Sequence, residues 1–228
     1  MTLAGTGAIC IWNDITDAGR TDFYSWHLRE HIPERVGIPG FCCGRRYIAC
    51  SPYTVPEFFT LYETATTEIL TGPEYLARLN APTAWTRQVT REFRNTLRAL
   101  TEVVFSRGEG PGGVLATLRL AFADSVERLA FLQGTRELLD HIATQPEITG
   151  IHLCLTDTLN SAARTAETRD RADILAAPDG VIFVEGCGIA SVEAASSLVQ
   201  RATEKLLKQP AVLGLYRLEH LHSSKRPV

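Results

Sequence analysis

Ser106-Arg107-Gly108-Glu109-Gly110-Pro111-Gly112-Gly113-Val114 splits the chain into two halves that read alike. Glycine tolerates turn conformations closed to other residues, and proline offers no amide proton, so the run ends whatever element precedes it. Upstream, β-branched and aromatic runs read as strands at 8–12, 41–49, 58–63 and 102–106, with a helix over 21–32 and a long helical region over 66–100. Downstream, strands at 114–122, 148–156, 181–187 and 212–219 alternate with helices at 125–143 and 191–208. Both halves therefore run strand, helix, strand, strand, helix, strand.

That order is the split βαβ, ferredoxin-like pattern, an α+β unit whose antiparallel sheet carries helices on one face only. The bare face needs a cover, and in a tandem chain the second sheet is the nearest one. The Gly-rich turn is too short to hold two bodies apart. The expectation is two tandem ferredoxin-like βαββαβ units with sheets packed face to face as an α/β barrel. Residues 1–110 would form the first unit, carrying the site, and 111–228 the second, mainly scaffold.

The chain has 228 residues with 23 Lys+Arg against 26 Asp+Glu, a net charge of -3, so it lacks the basic excess that nucleic acid requires. Apolar runs such as 181–184 are far too short for a membrane span, and residues 1–12 show no basic start ahead of an apolar core. Neither nucleic acid nor membrane is expected as a partner, and the expected location is cytoplasmic. Six cysteines without a C-x-x-C pair read as small buried apolar residues in a reducing compartment. No Gly-rich fingerprint follows a strand, no Walker lysine loop and no G-x-S-x-G elbow is present, and so no cofactor is expected.

The densest chemistry is Trp26-His27-Leu28-Arg29-Glu30-His31-Ile32-Pro33-Glu34-Arg35. Helical spacing puts Phe23, His27 and His31 on one inward stripe, with Pro33 closing the helix. Two imidazoles four residues apart can exchange protons as general acid and base, or can bind one metal. The plainer alternative is that they hydrogen-bond groups at the helix end. His27 to His31 also spells H-x-x-E-H, with Glu63 as a possible further metal ligand, but the helix stops too soon and the chain is too short for a zinc peptidase. In strand 41–49, Arg45 and Arg46 must face opposite sides, and a salt bridge to Glu63 competes with a role in polarising substrate. Tyr47, Tyr62, Glu63, Tyr75, Asn80 and Trp85 are candidate substrate-binding residues, the last three lying in a proline-broken segment, 72–87. The insertion 158–180, with charges at Arg164, Glu167, Arg169, Asp170, Arg171 and Asp173, reads as a solvated helical flap rather than a cover for a site.

The tandem βαββαβ order, with His27-x-x-x-His31-x-Pro33 leading into Ile38-Pro39-Gly40-Phe41 and Arg46-Tyr47, resembles the EthD-like group of the dimeric α/β-barrel superfamily. The topology covers nearly the whole chain, and the motif covers about residues 20–48. The resemblance implies a small-molecule pocket and marks His27, His31 and Arg46 as catalytic candidates. Its relatives include cofactor-free monooxygenases, isomerases, cyclases and haem-dependent enzymes. With both units in one chain, a homodimer becomes optional. The expected activity is a cofactor-independent isomerase, lyase or monooxygenase acting by histidine acid/base chemistry on a small apolar or aromatic, polyketide-like molecule held between the sheets. A non-catalytic small-molecule-binding protein, or a haem or metal enzyme using the histidine pair, is the alternative.

Overall fold

The computed structural model describes residues 3–169 and 173–224. In β1 (Gly7–Ile15), Ala8, Cys10 and Trp12 alternate with Ile9, Ile11 and Ile15, apolar on both sides because both faces are covered. β2 (Phe41–Ala49), β3 (Phe58–Thr64), β4 (Phe93–Gly108), β5 (Val114–Leu120), β6 (Ile148–Thr156), β7 (Gly180–Gly186) and β8 (Val212–Ser223) complete the sheet. The eight strands close an antiparallel barrel in the order β1-β3-β2-β8-β5-β7-β6-β4. Each half keeps the ferredoxin-like order, so the fold is two tandem ferredoxin-like units. The two sheets also hydrogen-bond along both edges, through β2 with β8 and β4 with β6.

The largest departures from the sequence reading lie in β4 and β8, the strands that pair within their own half and across a seam. The expected helix through 100 yields at Phe93 to β4, whose residues 93–102 pair with β1 while 101–108 pair with β6 of the other half. Leu97 and Ala99 face inward and Phe93 and Leu100 outward, so apolar residues on both faces hide the strand's alternation. Likewise β8 runs past 219 to Ser223, because its second half pairs with β2. The Gly-rich turn is a tight crossing at the barrel's end. Gly108 and Gly110 have φ of 143° and 154°, and a Cβ on Gly108 would lie 2.3 Å from the Thr149 carbonyl oxygen.

Among the described residues seven α-helices and two tighter or wider turns lie outside the barrel. α1 (Arg20–Trp26), a π-helical turn (His27–His31) and α2 (Ile32–Val36) form one run over the first sheet, joined by a 3₁₀ turn (Thr67–Thr71), α3 (Pro73–Asn80) and α4 (Ala84–Thr90). α5 (Ser125–Ala143) and α7 (Ile189–Thr203) cover the second sheet, and α6 (Thr158–Ser161) is the only helix among the described residues of the insertion. That insertion is therefore not a helical flap. It lies along the first half, with a parallel bridge from Ile174 to Thr96 and the Glu167 amide bonded to the Leu79 carbonyl. Its Asp170 and Arg171 lie outside the described residues.

The barrel interior is packed, which corrects the expectation of a ligand between the sheets. Trp12, Tyr47, Phe59, Phe183 and Tyr216 fill it. Arg45 completes it, donating to Glu185 at 2.8 Å, to Glu63 at 2.5 Å and to the Tyr47 hydroxyl at 2.9 Å. Burial alone would raise the Glu185 carboxyl, but Arg45 and His152 outweigh it and hold Glu185 near 2. The ions tie β2 and β3 of the first half to β7 of the second. All six cysteines are free; Cys10, Cys42 and Cys154 are buried as expected, while Cys187 is exposed. Among the described residues no helix is long and apolar enough to cross a membrane.

Candidate active site

Pro33 does not end the first helix. The chain widens into a π turn at His27–His31, where the Ile32 amide reaches back to the His27 carbonyl, and α2 then starts with Pro33 in its first turn. Proline has no amide to give and its ring clashes with the carbonyl four residues back, and a wider turn relieves that clash. The turn still carries the expected stripe. Phe23 stacks on His27 with centroids 5.0 Å apart, and His27 stacks on His31 at 5.5 Å with planes 20° apart. Trp26 lies 4.2 Å from His31, and both imidazoles are buried.

The histidines look onto the outer face of the first sheet, into a cavity of about 30 Å³. That volume suits a water or two. Its floor comes from β1, β3 and β4 through Asn13, Thr60, Tyr62 and Arg98; α3 supplies Tyr75 at the side, and Arg35, Glu167 and Thr168 close the top. The Tyr62 hydroxyl and the His27 Nδ1 are buried without a hydrogen-bond partner. Burial, with Arg46 and His220 adding positive charge, holds His27 well below the usual imidazole range, so it is neutral at pH 7. Burial also pushes the Tyr62 phenol up, keeping its proton on.

Of the residues picked from sequence, His27, His31, Tyr62 and Tyr75 meet at this cavity. Arg46 faces the helix side, next to it rather than in it. Its guanidinium lies 4.6 Å from the Tyr24 ring, and Nε donates to Glu219 at 3.2 Å. Tyr47 and Glu63 point into the barrel, on the opposite side of the sheet from the histidines, so Glu63 is no third ligand to them. Asn80 is exposed at the end of α3, where its side-chain oxygen accepts from the Ala166 amide. Trp85 packs beside the Phe23 cluster and donates to Asp22 at 2.8 Å. Glu30 turns away from the histidines and binds the Thr83 and Thr86 hydroxyls that begin α4. Among the described residues no cluster of three or more His, Cys, Asp or Glu could hold a metal ion.

Sequence reasoning missed Arg35, Arg98 and Glu167. Arg35, buried, pairs with Glu34 at 3.1 Å and with Glu167 of the insertion. Arg98 donates to the Tyr75 hydroxyl at 3.1 Å. The charges of the insertion were a signal, but a charge pattern does not say which surface it meets. Arg98 and Thr168 also line a second pocket of about 340 Å³, enclosed by β4, α6 and residues 162–164 and 174–177. That volume lies in the range of small-molecule sites. A haem does not fit. The cavity on the histidines is far too small for the macrocycle, and the larger pocket offers no His, Cys, Tyr or Met as an axial ligand.

The closed barrel of two ferredoxin-like sheets with helices outside is not peculiar to this chain. Solved structures share it across nearly the whole length. An anthrone oxidase-like protein matches with a TM-score of 0.64 at 9% identity, over 98% of this chain and 94% of that one. A provisionally named monooxygenase from Fusobacterium nucleatum subsp. nucleatum matches at 0.59 with 8% identity, over 98% and 97% of the two chains. Another from Lactobacillus acidophilus NCFM matches at 0.59 with 8% identity, over 96% and 97%. No protein-family model and no curated protein matches the chain.

Proposed function

We propose that this chain is a cofactor-independent enzyme acting on a small aromatic molecule by histidine acid/base chemistry, with oxygenation of an anthrone-like compound as its reaction. The observation that carries the reading is the stacked, buried pair His27 and His31 sharing a small cavity with the unpartnered Tyr62 hydroxyl. Buried polar atoms without partners cost stability, and a site that receives a ligand is one reason to keep them. The EthD-like resemblance of residues 20–48 and the likeness to an anthrone oxidase-like protein support the same reading.

In an anthrone the methylene between the rings is acidic. With the ring system in the adjoining pocket of about 340 Å³, whose Arg98 and Thr168 also border the histidine cavity, His31 as general base takes one of the methylene protons through water held in that cavity, and Tyr62 donates a hydrogen bond to the same water. The electron-rich anion passes one electron to dioxygen, the two radicals join to form a C–O bond, and the hydroperoxide loses water. Anthrone plus dioxygen gives quinone plus water, with every electron supplied by substrate. His27, held neutral, hydrogen-bonds to the oxygen species or returns the proton. Arg46 is a positioning residue, acting through His27 and Tyr24.

The test is oxygen uptake with anthrone. Wild type should consume oxygen equimolar with substrate, and His31→Ala should lower turnover by about 10² to 10⁴, the range for removing a general acid or base, with unchanged circular dichroism. Turnover unaffected by the variant refutes the assignment. Proton exchange at the methylene without oxygen uptake would make the protein an isomerase or lyase, and binding without either reaction a small-molecule carrier.

A further inference from the structure

The 340 Å³ pocket next to the histidines carries a charge pattern of its own. Among the described residues its lining includes Arg98 and Arg164 and no Asp or Glu, in a chain whose net charge is -3. Neither arginine meets a carboxylate among the described residues; Arg98 spends one Nη on the Tyr75 hydroxyl, and nearby Asp173 is taken by Arg94 at 3.8 Å. Half of the lining is apolar. Ala162, Ala163, Ala176 and Leu175 belong to that half, and Leu175 is 49% exposed. Large apolar side chains facing solvent beside unpaired cations fit a ligand with a flat apolar body and an anionic end.

We infer that this pocket is a carboxylate-selective aromatic site, with the ring system against Ala162, Ala163 and Leu175 and the carboxylate held by Arg98 and Arg164. Guanidinium offers the paired donors that a carboxylate accepts. As the place of the enzyme's substrate it rests on the reading above, because Arg98 and Thr168 border both this pocket and the cavity holding His27 and His31. The substrate class is then an aromatic, polyketide-like acid whose reactive ring faces the histidines and whose carboxylate stays in the outer pocket. The second half supplies one wall through Thr158, residues 161–164 and residues 174–177, so it adds Arg164 to a site whose Arg98 and histidines belong to the first half.

The probes are 2-naphthoate and its neutral isostere 2-naphthamide, titrated calorimetrically into wild type, Arg98→Gln, Arg164→Gln and His31→Ala. Naphthoate should bind at least about tenfold tighter than the amide, and each arginine variant should lower naphthoate affinity by about tenfold, as expected for one charge-assisted contact. Arg164 is exposed, so its variant folds irrespective of any strain at Arg98. Equal binding of the two probes, or naphthoate affinity untouched by both arginine variants, overturns the inference. His31→Ala should bind naphthoate as wild type does. Charge-selective binding together with unchanged turnover in His31→Ala would sink the acid/base reading alone. Histidine-dependent turnover without charge selectivity would sink this one alone.

Discussion

Replacing His27 with phenylalanine separates a histidine kept for chemistry from one kept for packing. Its ring is buried between Phe23 at 5.0 Å and His31 at 5.5 Å, so a phenyl group inherits both stacking contacts, with about 30 Å³ of cavity to take its extra volume. Nδ1 is buried without a partner, and removing an unsatisfied polar atom is worth about 1–2 kcal/mol. At pH 7 His27→Phe should therefore unfold about 2–8 °C higher than wild type, at about 2–4 °C per kcal/mol for a chain of this size. The pH dependence has a definite sign. His27 is held below the ordinary value of 6.5 by burial, then by Arg46 and His220, so below that pH the unfolded chain takes up a proton that the folded chain refuses. Wild type should lose about 1.4 kcal/mol per pH unit to this group on going below 6.5, and nothing above it. The variant lacks that component. Urea titrations at steps from pH 7.5 to 5 give both slopes, and anthrone turnover gives the activity. A more stable and much less active variant is the expected result. A variant that melts several degrees lower, or a slope equal to that of wild type, would refute the account of His27 as a neutral, destabilising, functional residue.

Two further predictions concern charges that hold the site from a distance. Arg45→Leu leaves Glu63 and Glu185 buried without their main partner and should cost about 3–5 kcal/mol in urea unfolding. In wild type the Glu185 contribution is present above 4.5 and lost as pH falls towards about 2, so acid unfolding should begin at a higher pH in the variant; a loss under about 1 kcal/mol would show that the cluster is not coupled as drawn. Glu167→Gln keeps the shape of the cover over the histidines but removes the charge facing buried Arg35, which retains Glu34 at 3.1 Å. It should cost about 1–2 kcal/mol and lower turnover, and unchanged values of both would make the insertion irrelevant to the site.

The repeated strand and helix order was legible because each ferredoxin-like unit must pattern its own core, and periodicity reports that locally. The seams were not. Val103, Phe105, Leu218 and Leu221 sit on strand segments whose partners lie in the other half, so nothing nearby in sequence marks their register. The histidine stripe was legible from spacing alone, and the π turn preserved it by adding a residue to the turn before Pro33. Arg45 and Arg46 could be separated by face but not assigned to one, since that depends on which side of β2 meets the second sheet. Arg35, Arg98 and Glu167 are joined by contacts spanning up to 132 residues, beyond the reach of any local pattern.

The asymmetry between the halves follows from closing the barrel within one chain. Where the first sheet keeps polar atoms under its helices, the equivalent face of the second is filled by Phe131, Leu139, Ile142 and Val199. A pocket beside α5 is lined by Phe105, Leu132, Thr135, Arg136 and Leu139 among others, with no histidine among the described residues. A second polar site there would add buried unsatisfied groups to a chain that already carries them at His27 and Tyr62. The second half is free instead to lengthen the connection between β6 and β7, which can wrap the first half because the β4–β6 seam brings it alongside. Fusion thereby lets one copy of the unit supply the stable frame and a pocket wall while the other keeps the strained, polar site, a division that two identical chains sharing one sequence cannot make.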